Sequence, residues 1–68
     1  MTRPYLCFLY DSATHVSSIV SVHAEEDGLA IAQSNAIFAG STNAIGFEVL
    51  RKGQIIERQF MREARVPR

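Results

Sequence analysis

Cys7, His15 and His23 are the side chains of this 68-residue chain whose types could support nucleophilic or metal chemistry. A catalytic cysteine usually lies on an exposed turn or at a helix start, with a base within reach. Cys7 lies instead in the middle of the apolar run Tyr5–Tyr10. That position is typical of a buried core cysteine, so we expect an unreactive thiol.

The two histidines bracket a predicted strand and are eight residues apart. At about 3.3 Å per strand residue, roughly 26 Å separates His15 from His23. They cannot share an ion within one subunit, and one cysteine with two histidines does not make a structural zinc site. We therefore predict no metal and no cofactor.

Two sets of carboxylates could also do chemistry. If Glu48 and Glu57 pair across a hairpin, they could share a proton or hold a cation, unless Arg51 or Arg58 neutralises them on a solvated face. The acidic run Glu25–Asp27 complements the dipole at the start of a predicted helix, which explains it without a function. None of these sets indicates an enzyme.

Positive charge is concentrated at the end of the chain, although the net charge is zero. Residues 1–50 carry one arginine and five acidic residues, whereas residues 51–68 carry six cations and two acidic residues. This basic end predicts an alternative function, salt-sensitive nucleic-acid binding. Its contact residues would be Arg58, Arg62, Arg65 and Arg68. The neutral whole chain and the lack of an evident aromatic platform argue against it, and a solvated, flexible tail at residues 61–68 explains the same charges.

The elements that position these residues begin with a strand that is apolar on both faces. Tyr5, Cys7 and Leu9 point to one side of it, and the alternate set Leu6, Phe8 and Tyr10 points to the other. A strand of this kind needs cover on both sides. The sequence does not decide which set the helix covers.

The remaining pattern predicts three more strands and one helix. The predicted strands are Pro4–Tyr10, His15–Val22, Ala44–Leu50 and Gln54–Phe60, and the helix runs from about Glu25 to Ala39. Gly40 is placed to end the helix in the left-handed conformation. At 100° per residue one stripe of the helix is suited to close packing on the sheet, and it contains Leu29, Ala32, Ala36 and Ala39. Ile31 and Phe38 fall on the opposite stripe, where they could fold over the helix end or form a second contact surface.

Lys52 and Gly53 indicate a tight turn between the last two strands. A two-residue turn pairs Val49 with Ile56, Leu50 with Ile55 and Ile45 with Phe60. It also sets Glu48 against Glu57, an unfavourable pair of like charges. A three-residue turn removes that conflict but sets apolar residues against polar ones, so the two-residue register is preferred.

These elements predict an α+β fold of ββαββ type. The four-stranded antiparallel sheet would have the order 2-1-3-4, which puts the two most apolar strands in its centre, with one helix on one face. Residues 1–60 would form a single domain.

The layout resembles small uncharacterised bacterial proteins of about this size. They share a Tyr/Phe-rich strand ending in Asp, a turn followed by His, acidic residues opening an Ala-rich helix, and a closing Glu-Val-Trp segment, Gly turn and Arg-containing strand. The matching segments here are Tyr5–Asp11, His15, Glu25–Ala32, Glu48–Leu50 and Gly53. Leu50 stands where an aromatic residue is common in that group. The resemblance implies the fold and brings no established activity.

The short chain makes self-association the leading hypothesis. A domain of this size buries only about 60% of its unfolded surface, and its core supplies roughly 3–5 kcal/mol. With one cysteine, no internal disulfide can add to that. We expect a non-enzymatic homodimer that uses the sheet face opposite the helix. The candidate interface residues are Tyr5, Leu6, Cys7, Phe8, Leu9, Tyr10, Ile19, Leu50 and Ile55.

Other partners and locations follow from what the chain lacks. No apolar run approaches the ~20 residues of a membrane span, and no phosphate-binding loop or other small-molecule motif is present. The apolar run after Arg3 stops at Asp11, too short for a secretory signal. We expect a cytoplasmic protein without a small-molecule ligand, in agreement with its single cysteine.

Overall fold

The computed structural model describes residues 1–61, which form a four-stranded antiparallel sheet with a helix on one face. The elements in chain order are β1 (Arg3–Ser12), β2 (His15–Ala24), α1 (Asp27–Ala39), β3 (Gly46–Arg51) and β4 (Gln54–Phe60). The sheet order is β2-β1-β3-β4, so the predicted ββαββ topology is confirmed. The predicted flexible tail falls, apart from the exposed Met61, outside the described residues.

The first hairpin is longer than predicted at both ends. β1 continues to Ser12 because the turn needs only Ala13 and Thr14, and β2 continues to Ala24, which pairs with Arg3 at the other end. β3 is shorter than expected and begins at Gly46 rather than Ala44. β4 has the predicted bounds.

The helix begins later and ends differently from the prediction. Glu26 is still extended, and its carbonyl accepts the Leu29 and Ala30 N–H groups at 3.2 and 3.1 Å, so helical residues start at Asp27. Gly40 has φ −86° and ψ 0°, in the right-handed region. The predicted left-handed end is therefore wrong. Gly40 completes the last turn by donating its N–H to the Ala36 and Ile37 carbonyls.

The face that the helix buries is also not the predicted one. Ala30 and Ser34 are fully buried, whereas Leu29 is 47% exposed and the alanines predicted to pack on the sheet are exposed. Ile31 and Phe38, expected on the outer side, pack against the core. The rings of Phe38 and Phe47 lie 5.3 Å apart, so the Phe38 side of the helix faces the core.

The core lies between the helix and one face of the sheet. Its central members are Tyr5, Cys7 and Leu9 of β1, with Phe47 and Val49 of β3, all at most 5% exposed. Val22 and Ala24 of β2 are buried beside them. The helix therefore covers the Tyr5 side of β1 and leaves the Leu6 side open.

The β3–β4 hairpin combines the predicted turn with a different register. Positive φ at Lys52 (54°) and Gly53 (79°) matches a two-residue hairpin turn, and Leu50 lies opposite Ile55 as predicted. Beyond that pair the register shifts by one residue, because Ile56 has no partner on β3.

This bulge overturns the other predicted pairs of the hairpin. Glu48 faces Arg58 instead of Glu57, Val49 faces Glu57, and Phe60 faces Gly46 instead of Ile45. The shift replaces a repulsive pair of carboxylates with an ion pair, and Ile56 packs against the core. The predicted Glu48–Glu57 contact is therefore wrong, and with it the idea that the two share a proton.

Candidate functional site

The sheet face opposite the helix, here called the far face, is the candidate site. Residues that lie opposite each other in an antiparallel sheet point to the same side, so the register defines this face. Its members include Pro4, Leu6, Phe8 and Tyr10 of β1, Val16, Ile19, Ser21 and His23 of β2, Glu48 and Leu50 of β3, and Ile55, Arg58 and Phe60 of β4. Six of the nine predicted interface residues lie here. Tyr5, Cys7 and Leu9 do not, because the helix buries them.

The middle of the far face is apolar and uncovered by residues 1–61. Ile19 is 60% exposed, Ile55 51% and Leu6 41%, while Phe8 and Leu50 are partly exposed. These residues come from all four strands and are neighbours across them. Single exposed apolar residues are ordinary, but a contiguous patch usually marks a contact surface.

A polar cluster closes one end of this patch. The Tyr10 hydroxyl donates to Glu48 Oε1 at 2.8 Å, and Arg58 Nε pairs with Glu48 Oε2 at 3.2 Å. The Phe60 ring lies 5.1 Å from the Tyr10 ring and 5.1 Å from the Arg58 guanidinium carbon. These neighbours leave Glu48 only 6% exposed. The hydrogen bond to Glu48, followed by burial, raises the pKa of Tyr10 above its usual 10.0.

The other end of the far face carries an open groove of about 270 Å³. Its apolar floor includes Pro4, Leu6 and Leu50, and its polar rim includes His23 and Lys52. The groove continues the apolar patch rather than forming a separate enclosed cavity. It therefore belongs to the same surface.

On the helix side, a second tyrosine–carboxylate pair ties three elements together. The Tyr5 hydroxyl donates to Asp27 Oδ1 at 2.8 Å, and Arg51 Nη1 donates to both Asp27 oxygens at 2.8 and 2.9 Å. Burial and then this hydrogen bond raise the pKa of Tyr5. Because Asp27 is the first helical residue, the cluster anchors the start of α1 to β1 and β3.

Cys7 is fully buried, as predicted for a core cysteine. Burial raises the pKa of its thiol above 9.0, and a weaker effect of the Ser34 hydroxyl lowers it. Ser34 Oγ itself is buried and makes no hydrogen bond of regular geometry among residues 1–61, so its contact with the thiol is a weak one. A buried, protonated thiol is a poor nucleophile.

Metal-ligating side chains do not gather within the described part of the chain. No group of three or more His, Cys, Asp or Glu residues there is placed to hold an ion. His15 Nδ1 instead lies 2.8 Å from Asp11 Oδ1 in the first hairpin, in an exposed pair.

The proposed nucleic-acid contact is only partly described. Arg58 is engaged with Glu48 and Phe60 on the far face, which reduces the charge it can offer to phosphate. Arg62, Arg65 and Arg68 lie outside the described residues. This alternative function stays a prediction.

Sequence reasoning identified most of the apolar patch but missed the cluster around Glu48. Glu48 and Tyr10 are 38 residues apart in the chain, and their contact depends on β1 pairing with β3. The strand order predicted that neighbourhood. The alternation of Phe47, Glu48 and Val49 suggests that Glu48 points away from the core, but the sequence did not decide that Tyr10 points to the same side.

Comparison with known proteins leaves the function open. None of the helices within residues 1–61 has the length and apolar character needed to cross a bilayer. The resemblance to small bacterial proteins and the cytoplasmic location stay predictions. No protein-family model, no curated protein and no solved structure matches this chain.

Proposed function

We propose that the protein is a small non-enzymatic interaction module that forms a homodimer through its far face. The observation that carries the proposal is the apolar patch on that face, where Ile19, Ile55 and Leu6 are 41–60% exposed. Burying such side chains contributes about 25 cal/mol for each Å² of apolar surface removed from water. A second copy supplies a matching apolar surface without any other partner.

The charges of the far face suit contact between identical copies. A two-fold axis brings the same surface of both copies together, so an unpaired charge near the axis would face its own kind. The buried carboxylate of this face, Glu48, is already paired with Arg58 and accepts a hydrogen bond from Tyr10. The centre of the face can therefore be covered without opposing two free carboxylates.

The far face is large enough for a stable dimer interface only if most of its area is buried in the contact. The strands contain 10, 10, 6 and 7 residues. At about 3.3 Å per residue and 4.8 Å between strands, they give a flat area of roughly 500 Å², which side-chain relief enlarges. Stable interfaces bury about 800 Å² on each partner. The expected contact is thus a broad packing of sheet on sheet.

Sedimentation velocity across a wide micromolar range tests this proposal with the variant Leu6→Glu. Leu6 lies on a central strand, so any packing of two far faces includes it. We expect the wild type to form the larger species and Leu6→Glu to weaken that assembly by at least about tenfold, because each copy would bury an unpaired charge.

The matched control is Ala32→Glu, which adds the same charge at an exposed helix position away from the sheet. It should assemble like the wild type. A wild-type protein that stays folded and monomeric throughout the range, or one that Leu6→Glu and Ala32→Glu affect equally, would contradict the proposal.

A further inference from the structure

Strand β2 forms one edge of the sheet, and within residues 1–61 it pairs only with β1. We propose that this edge pairs antiparallel with β2 of a second copy, centred on Ser21, so that two four-stranded sheets join into one of eight strands. The inference concerns a surface different from the far face and does not depend on the proposed far-face dimer.

The backbone directions show which groups the edge offers. The Leu9 carbonyl accepts the Ser17 hydroxyl of β2 at 3.3 Å, whereas the Tyr10 carbonyl accepts the Ile45 N–H on the β3 side at 2.8 Å. Because strand residues alternate in direction, Leu9, Cys7 and Tyr5 direct their N–H and C=O groups toward β2.

The β2 partners of these residues are Ser18, Val20 and Val22, which therefore direct their backbone groups toward β1. The residues between and after them, Ile19, Ser21 and His23, direct theirs outward. An independent contact agrees with this assignment, because Gln33 of the helix donates its side-chain amide to the His23 carbonyl at 3.2 Å.

This edge lacks the usual protection against pairing. Natural edge strands carry charged residues, proline or bulges that discourage a further strand. β4, the opposite edge, carries Glu57 and Arg58 and the bulge at Ile56. β2 contains no proline and no Asp, Glu, Lys or Arg in ten residues. Within residues 1–61, the only groups that would hinder pairing along β2 are one bulge near its start and the Gln33 amide, which bonds the His23 carbonyl and which a partner strand can displace.

The bulge selects the register of the proposed pairing. Leu9 faces Ser18 and Tyr10 faces Val16, so Ser17 is the extra residue. The segment His15–His23 reads almost the same in both directions about Ile19, but a pairing centred there would run through the bulge. The regular part of the strand is residues 18–24, and its centre is Ser21.

Pairing centred on Ser21 matches side chains on both faces. On the helix side, Val20 meets Val22 of the second copy, so apolar side chains contact each other. On the far face, Ile19 meets His23 of the second copy, so no two charged side chains of the same sign face each other. The strand is therefore complementary to itself, which favours a second copy over an unrelated strand.

The helices leave room for this arrangement. The two-fold axis stands perpendicular to the joined sheet, so both helices lie on the same side. With α1 packed across β1 between β2 and β3, and with strands about 4.8 Å apart, the two helix axes lie roughly 14 Å from each other. An α-helix with side chains is about 10–12 Å across, so the helices do not collide. Leu29, one turn before Gln33 and 47% exposed, lies on the flank nearest the partner.

Edge pairing would also enlarge the far face. Two joined sheets present a flat area of roughly 1,000 Å², twice that of one copy and above the area a stable interface needs on each side. If both contacts form, four copies assemble as two eight-stranded sheets packed face to face.

The test replaces Ser21 with proline and compares it with Ser21→Ala. Proline removes the outward N–H without removing a hydrogen bond to β1, and edge strands tolerate it there. By sedimentation velocity we expect Ser21→Ala to assemble like the wild type. Ser21→Pro should weaken the edge contact at least about tenfold, because both central N–H···O bonds of the two-fold pair are lost. Assembly of Ser21→Pro that equals Ser21→Ala overturns the inference.

A second measurement does not depend on the variants. Amide hydrogen exchange of wild-type Ile19, Ser21 and His23 should slow as protein concentration rises, since these N–H groups become bonded only in the pair. Fast exchange at every concentration overturns the inference.

The variant Leu6→Glu separates the two contacts. Assembly that is weakened by Ser21→Pro but not by Leu6→Glu supports the edge contact and contradicts the far-face dimer. The reverse pattern supports the far-face dimer and overturns the edge.

Discussion

At the scale of residues, two tyrosine–carboxylate pairs hold the fold on opposite faces of the sheet. Tyr5 donates to Asp27 on the helix side, and Tyr10 donates to Glu48 on the far face, both at 2.8 Å. Both hydrogen bonds need a protonated phenol. These hydrogen bonds and burial raise the pKa of each tyrosine. Burial also raises the pKa of the Cys7 thiol. All three groups thus favour their neutral form in the folded protein.

These raised pKa values predict that the protein loses stability in alkali. A group whose pKa is higher in the folded than in the unfolded state contributes stability below its unfolded pKa, and that contribution disappears as the pH rises through the folded pKa. The unfolded values are 9.0 for Cys7 and 10.0 for Tyr5 and Tyr10. In urea unfolding experiments, these groups should therefore add the same amount to the free energy of unfolding throughout the neutral range. Above pH 9 the measured free energy of unfolding should fall.

The variant Tyr10→Phe isolates one part of this effect. It should cost about 1–3 kcal/mol at neutral pH, because the buried carboxylate loses a hydrogen bond. Its free energy of unfolding should then fall less steeply above pH 10 than that of the wild type. Equal alkaline slopes for the two proteins would show that Tyr10 keeps no raised pKa in the folded state.

At the scale of elements, the β3–β4 hairpin depends on a close approach at Gly46. A Cβ atom at this position would lie 2.5 Å from Phe60 Cδ2 and 2.8 Å from the Gln59 carbonyl oxygen. The Phe60 ring occupies the space that a side chain would need, and it also contacts Tyr10. Gly46 therefore serves the packing of Phe60 rather than an unusual backbone angle.

The substitution Gly46→Ala should destabilise the protein by about 1–3 kcal/mol, because the methyl group displaces the Phe60 ring or the β4 backbone. The matched control is Gly28→Ala in the helix, where an added Cβ would meet nothing within 4 Å. Alanine should stabilise that position by roughly 0.5–1 kcal/mol. Thermal or urea unfolding measures both changes, and a Gly46→Ala protein as stable as the wild type would contradict the described contact.

At the scale of the whole molecule, the helix covers one face of the sheet, and within residues 1–61 nothing covers the far face. Within the described residues, the buried set around Phe47 and Val49 contains nine residues with apolar side chains. A core this small supplies little stability by itself, so contacts with a partner would add a large share.

Self-association predicts that the thermal midpoint depends on protein concentration. Any partner that binds only the folded state raises its stability by mass action. Scanning calorimetry or circular dichroism should show the wild-type Tm rising with concentration. The Tm of Leu6→Glu should rise less, and a concentration-independent wild-type Tm at micromolar levels would contradict assembly in that range.

The amino-acid sequence by itself determined the number, type and order of the elements. The two-sided apolar strand, the turn at Lys52–Gly53 and the helix between two hairpins are local patterns, and they lead to one antiparallel order with short connections. The edge positions of β2 and β4 follow from the same reasoning. Each of these features depends on neighbouring residues, so it can be predicted without knowing distant contacts.

Only the tertiary structure decided which faces meet. The helix is rich in small apolar residues around its circumference, so its periodicity does not select a buried side. The contact of Phe38 with Phe47 and the contacts of Asp27 with Tyr5 and Arg51 determine which side is buried. The bulge at Ile56 likewise arises from pairing Glu48 with Arg58 across strands. These outcomes depend on contacts between side chains of different elements, whose energies the pattern within one element does not contain.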